Sequence, residues 1–105
     1  MRIFPESSQV WAEVRFVDKD DRPFVPATAR WRLEDRDTEL ELVPWTAITP
    51  DKKVDVAIPA TANRILSDVN DTEKRVLTVQ SDYGTDNQLS QEIAYKVTNL
   101  AGFVS

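Results

Sequence analysis

The chain has 105 residues, 41% hydrophobic and 30% charged, a size and balance that suit one domain with one hydrophobic core and indicate neither a disordered segment nor a membrane protein. Its net charge of -5, from 13 Lys and Arg against 18 Asp and Glu, argues against a nucleic-acid partner, because neutralising phosphates needs a basic face. Cysteine and histidine are both absent, which removes disulfides, thiolate chemistry, the commonest metal ligand and the usual general base.

The N-terminal MRIFPESSQV lacks the charged-then-apolar order of a signal peptide, and no apolar run approaches the roughly 20 residues of a membrane span. The chain is therefore expected to stay in the compartment where it is made. Residues 1–7 read as an arm ahead of a domain over 8–105, with Ile3 and Phe4 placed before Pro5. Such an arm either packs on its own domain or docks on a neighbour.

From Val10 to Val17 the apolar Val10, Ala12, Val14 and Phe16 alternate with Glu13 and Arg15, the period of a half-buried strand. The same alternation sends Trp11 to the opposite face. Either a partner covers it, or the segment Ala60 to Asn70 or an edge loop of the same chain packs over it. A polar turn over Asp18 to Pro23 leads to a second strand in which Ala29, Trp31 and Leu33 alternate with Arg30, Arg32 and Glu34. Leu40 and Leu42 alternate with Glu39 and Glu41. A two-residue loop at Arg36-Asp37 would pair Leu33 with Leu40 and Trp31 with Leu42, leaving Glu34 opposite Glu39 with only diagonal relief from Arg32.

Pro44 and Pro50 bracket Trp45 to Thr49, which excludes an uninterrupted central strand there. Val54, Val56 and Ile58 mark a fourth strand closed by Pro59. Ile65, Leu66 and Val69 fit one helical face after Thr61, so Ala60 to Asn70 reads as a short helical turn or a packed loop. Glu73 to Asp82 and Glu92 to Thr98 form a second hairpin across the turn-rich Ser81 to Asn87. Six to seven strands with frequent turns and no long helix predict an all-β, antiparallel, immunoglobulin-like sandwich with one short helical turn.

Catalytic chemistry has little to work with. The carboxylates fall on outward strand positions and in turns, whereas paired acids must face each other across a cleft. Asp18-Lys19-Asp20-Asp21 lacks the glycine and distal glutamate of a calcium loop, and Asn70-Asp71-Thr72 matches a glycosylation sequon in a chain with no secretion signal. The chain is read as non-enzymatic, with no catalytic residue, no cofactor and no metal. Its candidate interface residues are Ile3, Phe4 and Trp11.

Three runs, Val14-Arg15-Phe16-Val17-Asp18, Val25 to Leu33 and Val43-Pro44-Trp45-Thr46-Ala47-Ile48-Thr49-Pro50, together with Val56 to Ala60 and the closing Ala94 to Gly102, carry a likeness. The sequence resembles small immunoglobulin-like virion structural proteins of tailed bacteriophages. The telling parts are Trp45-Thr46-Ala47 with its flanking prolines and the Asn99-Leu100-Ala101-Gly102 end. The resemblance implies a virion component made in the bacterial host cytoplasm. Its partners would be capsid or tail proteins and copies of itself, with no nucleic acid and no membrane. Capsid decoration or another accessory place leads; the alternatives are the head-tail joint, a tail accessory component, or a free module binding protein, or carbohydrate through Trp11 or Trp45.

Without histidine or cysteine, folding is expected to be independent of metal. Excess chelator should leave the melting temperature unchanged, and a rise of several degrees on adding calcium would contradict this, since a ligand of the native state stabilises it by mass action.

Overall fold

The alternation that marks two of the strands also brings them together. In the computed structural model, which describes residues 2–67 and 71–99, Val10 lies opposite Ile58 and Val14 opposite Val54 in one unbroken antiparallel register. The strands are β1 (Arg2–Pro5), β2 (Val10–Arg15), β3 (Ala29–Asp35), β4 (Glu41–Ala47), β5 (Lys53–Ile58), β6 (Thr72–Ser81) and β7 (Leu89–Thr98). A 3-10 turn at Ala60–Asn63 follows β5. Five strands form one sheet in the order β1-β7-β6-β3-β4, and β2-β5 form the facing sheet. Two hairpins joined across β3 and β6, facing a β2-β5 pair, give the strand order of an immunoglobulin-like sandwich. Trp31 is buried on β3, the strand on which such domains bury a tryptophan.

The core lies between the sheets. Trp31 and Leu33 of β3, Leu77 and Val79 of β6, and Tyr95 and Val97 of β7 meet Val10, Val14, Val56 and Ile58 of the small sheet. Phe16, Ile48 and Ala62 complete it from the connections. Val76 is also buried but belongs to the opposite parity of β6 and stands outside this cluster, beneath the polar outer face.

The N-terminal segment is part of the domain. Arg2–Pro5 pairs in parallel with Tyr95–Thr98, so the sandwich is antiparallel except at this edge. The 3-10 turn answers the expectation of a short helical turn, although Val69 and the sequon residue Asn70 lie outside the described residues, as do Leu100 to Gly102.

The hairpin register departs from the expectation. Leu33 faces Val43 and Trp31 faces Thr46, while Leu40 is 50% exposed. The loop is longer than two residues: the Asp35 amide donates to the Leu40 carbonyl, the Glu39 amide donates to the Asp35 carbonyl (both 2.9 Å), and Glu39 takes φ 58°. The Asp35 carboxylate fixes this loop by accepting from the Thr38 amide (3.0 Å) and hydroxyl (2.8 Å). Register shifts on both sides of Leu33 then insert extra residues in β4, so consecutive Leu42 and Val43 both pack against the core. The strand runs through Pro44 to Ala47, which an edge position permits. The like-charge pair is Glu34 with Glu41, and Arg32 lies 3.1 and 3.6 Å from their carboxylates.

One end of the sandwich is closed by charge. Arg75 of β6 is fully buried and donates to the carboxylates of Asp35 (2.7 Å) and Glu73 (3.0 Å) and to the Arg64 carbonyl (2.7 Å). Glu73 in turn accepts from the Leu66 and Ser67 amides at 2.7 and 3.1 Å. The described residues 64–67 lie in no strand, so these side chains supply hydrogen bonds that a ladder would otherwise provide.

Arg75→Ala should cost about 3–5 kcal/mol in denaturant unfolding, because it strands two buried carboxylates. Leu33→Ala should cost about 2–5 kcal/mol at a site with no exposure. Either variant unfolding at the wild-type denaturant midpoint would contradict this account of the core.

Candidate functional site

The small sheet has fewer strands than the large one, so a side of the sandwich stays open along β2. Backbone polarity alternates along this strand: the Phe16 amide donates to Lys52 on the β5 side at 3.0 Å, whereas the Arg15 carbonyl points away and accepts from Gln91 Nε2 at 3.4 Å. The amides and carbonyls of Trp11, Glu13 and Arg15 thus face the open side. A groove of about 380 Å³ runs beside this edge, walled by Phe4, Ile93 and Tyr95 on one side and Val10, Trp11 and Ala12 on the other, with Arg2 and Glu13 at its rim. A second hollow of about 230 Å³, lined by Phe16, Val17, Phe24 and Leu89 among others, continues it past Arg15.

Of the three candidate residues, the fold unites two. Trp11 is 59% exposed on the outer face of β2, opposite Ala57. Phe4 shares its groove and is anchored edge-on against Tyr95, ring centroids 5.7 Å apart, with the Arg2 guanidinium 5.8 Å from its own ring. Ile3 is equally exposed at 59% but lies on the outer face of the large sheet beside Lys96, away from the groove. Asn63 explains why the described part of the segment after β5 does not shelter Trp11. Its side chain is drawn inward, accepting from the Tyr95 hydroxyl at 2.6 Å and donating to the Ser8 carbonyl at 2.8 Å.

Electrostatics sharpen the outer face of β2. Glu13 stands opposite Asp55 and Arg15 opposite Lys53, so acid faces acid and base faces base across the small sheet. A 2.6 Å hydrogen bond from Arg15, aided by the Lys53 charge, holds the Glu13 carboxyl below its usual range. In the groove wall, burial pushes the Tyr95 hydroxyl well above the ordinary tyrosine range, against the opposing charge of Arg75.

Sequence reading missed a second surface, on the outer face of the large sheet. The Arg30 guanidinium lies between the rings of Trp45 (4.2 Å) and Tyr83 (4.3 Å) and donates to Gln80 Oε1 at 2.9 and 2.7 Å. Arg32 lies 5.7 Å from Trp45. The outward parity of Arg30 and Arg32 is visible in the sequence, but bringing Trp45 and Tyr83 to them takes the β4 register and the β6-β7 loop.

The Asp18 to Asp21 cluster is a turn. The Asp18 carboxylate accepts from the Asp20 and Arg22 amides at 2.8 and 3.0 Å, and Asp21 takes φ 58°. No family model matches the chain, and no curated protein or solved structure matches it.

Stability should fall as pH rises past about 10, because the unfolded chain releases the tyrosine proton there while folded Tyr95 keeps it. Tyr95→Phe should flatten that alkaline loss in thermal melts, while costing about 1–3 kcal/mol at neutral pH by leaving Asn63 Oδ1 without its donor. An unchanged alkaline profile in the variant would refute the assignment.

Proposed function

We propose that this domain is a non-enzymatic structural module of a bacteriophage virion, an accessory or capsid-decorating protein that assembles on the particle through its open side. The observation that carries the assembly part is the exposed Trp11 beside Phe4, in an apolar groove bordered by the β2 edge that has no strand partner among the described residues. Such a surface suits an extended segment or sheet edge of another protein: main-chain hydrogen bonds supply affinity and the groove sorts side chains. An exposed tryptophan in a concave apolar setting has the character of an interface anchor. The virion part rests on the sequence resemblance, which spans most of the chain. A head-tail joint or tail accessory place would use the same surface.

The competing reading is a free binding module. The Trp45 and Tyr83 rings each give a face to Arg30, which leaves Trp11 as the more open ring for a carbohydrate.

Mass spectrometry of purified particles decides between the classes: stoichiometric presence is expected, and absence would reject the virion reading in favour of a free binder. Trp11→Ala should leave unfolding within about 0.5 kcal/mol of wild type and lower incorporation into particles. Undiminished incorporation would remove the open side as the contact surface.

A further inference from the structure

Among the strand edges of this fold, β2 is unusual in lacking protection. β4 carries Pro44 and two register shifts, and β1 is four residues long and ends in Pro5. The free edge of β5 offers Lys53, Asp55 and Ala57, with no large apolar side chain. Proline, shortness and irregularity are the ordinary defences of an edge against pairing. β2 has six residues, no proline and an unbroken register; Trp11 stands 59% exposed on its outer face, and Val17, two residues past its end and bridged to Pro23, is 40% exposed. Approach is open as well: β1 pairs only from Tyr95 onward, so beside Leu89 to Ala94 the large sheet ends at β7.

We propose that β2 is a self-pairing edge, at which a second copy of this chain adds its own β2 antiparallel, in the register centred on Val14. The order of chemistry along the outer face is apolar, acidic, basic, apolar at Trp11, Glu13, Arg15 and Val17. Reversed against itself about Val14, this order sets Trp11 opposite Val17 and Glu13 opposite Arg15, each pair occurring twice. On the inner face Val14 meets Val14 and Ala12 meets Phe16. Registers one pair away in either direction lose this match, since they set Glu13 against Glu13 or Arg15 against Arg15. The backbone agrees with the chosen register, because the residues whose amides and carbonyls point to the open side are the ones it pairs, the incoming strand displacing the long, exposed bond from Gln91 to the Arg15 carbonyl.

The monomer's own charge layout supplies the independent reason. Glu13 beside Asp55 and Arg15 beside Lys53 are like-charge cross-strand pairs, which the monomer relieves through the exposed contact of Glu13 with Arg15 and the nearby Lys53 charge. In the paired arrangement the acidic row of one copy continues into the basic row of the other. This two-fold contact is self-complementary and closed, so it yields a dimer and not a fibre. The inference deepens the assembly reading and rests on it for the role of the open side; its test uses the isolated protein, so its failure and failure to join particles are separate results.

The test combines sedimentation equilibrium with residue-resolved amide exchange. The wild-type protein should dimerise below about 1 mM, and the amides of Trp11, Glu13 and Arg15 should gain protection as concentration rises. Glu13→Arg and Arg15→Glu are surface changes that should each keep the wild-type melting profile yet weaken self-association by on the order of tenfold or more. Mixed one to one, the two variants should restore a dimer, because the basic row of one again meets the acidic row of the other. A wild-type protein that stays monomeric throughout would overturn the proposal. So would a dimer in which those three amides exchange freely, or one that either single reversal leaves as tight as wild type.

Discussion

Arg75 is the group on which this fold closes. A guanidinium with no exposure sits between two carboxylates, and each of those carboxylates organises a different loop: Asp35 holds the β3-β4 turn, and Glu73 holds the amides of Leu66 and Ser67. Burying three charges is expensive, and such clusters persist where every oxygen and most donors find partners. Here that condition is nearly met; among the described residues, Arg75 Nε is one of two buried side-chain atoms without a partner. The cluster therefore adds specificity of closure more than raw stability. It sets the length of the β3-β4 loop, the loop sets the register, and the register brings Leu42 and Val43 to the core and Trp45 to Arg30.

A second buried contact completes the same end of the domain. Asn63 joins Tyr95 of β7 to the Ser8 carbonyl, and its own carbonyl accepts from the Ser7 amide at 2.9 Å. The chain between β1 and β2, where it crosses from one sheet to the other, is thereby tied to the 3-10 turn. Because β1 leaves for the large sheet at this crossing, no strand among the described residues pairs with the free edge of β2, where the Gln91 side chain reaches the Arg15 carbonyl at 3.4 Å. The open side and its groove are consequences of that crossing, and the functional reading follows from the topology more than from any single side chain.

Charge follows a similar logic at the surface. Across the large sheet, Arg32 sits within reach of both Glu34 and Glu41 and relieves their opposition. Across the small sheet, Glu13 faces Asp55 and Arg15 faces Lys53, and the contact between Glu13 and Arg15 is exposed and screened by solvent. Like charges set side by side next to an unpaired edge favour an arrangement in which a complementary row arrives from outside.

The two-residue period by itself determined much of this protein: the strands over Val10, Ala29, Val54, Glu73 and Glu92, the inward series Val10, Val14, Trp31, Leu33, Val56, Ile58, Leu77, Val79 and Val97, and the outward placement of Trp11. Alternation is a local property of extended backbone, so it is legible wherever one face is buried and the other wet. The strand Arg2–Pro5 and the part of β4 beyond Pro44 were not legible, because their partners lie far along the chain and proline reads as a break. The hairpin register was misread for a related reason: the local pattern of Leu33 and Leu40 suits a short loop, but Arg75, 40 residues after Asp35, draws the Asp35 carboxylate inward and lengthens it. The same holds at the candidate site. Periodicity placed Trp11 on an outer face, but only the tertiary structure joined it to Phe4, separated it from Ile3 and left β2 with a free edge, because which edges remain unpaired depends on every strand pairing in the fold at once.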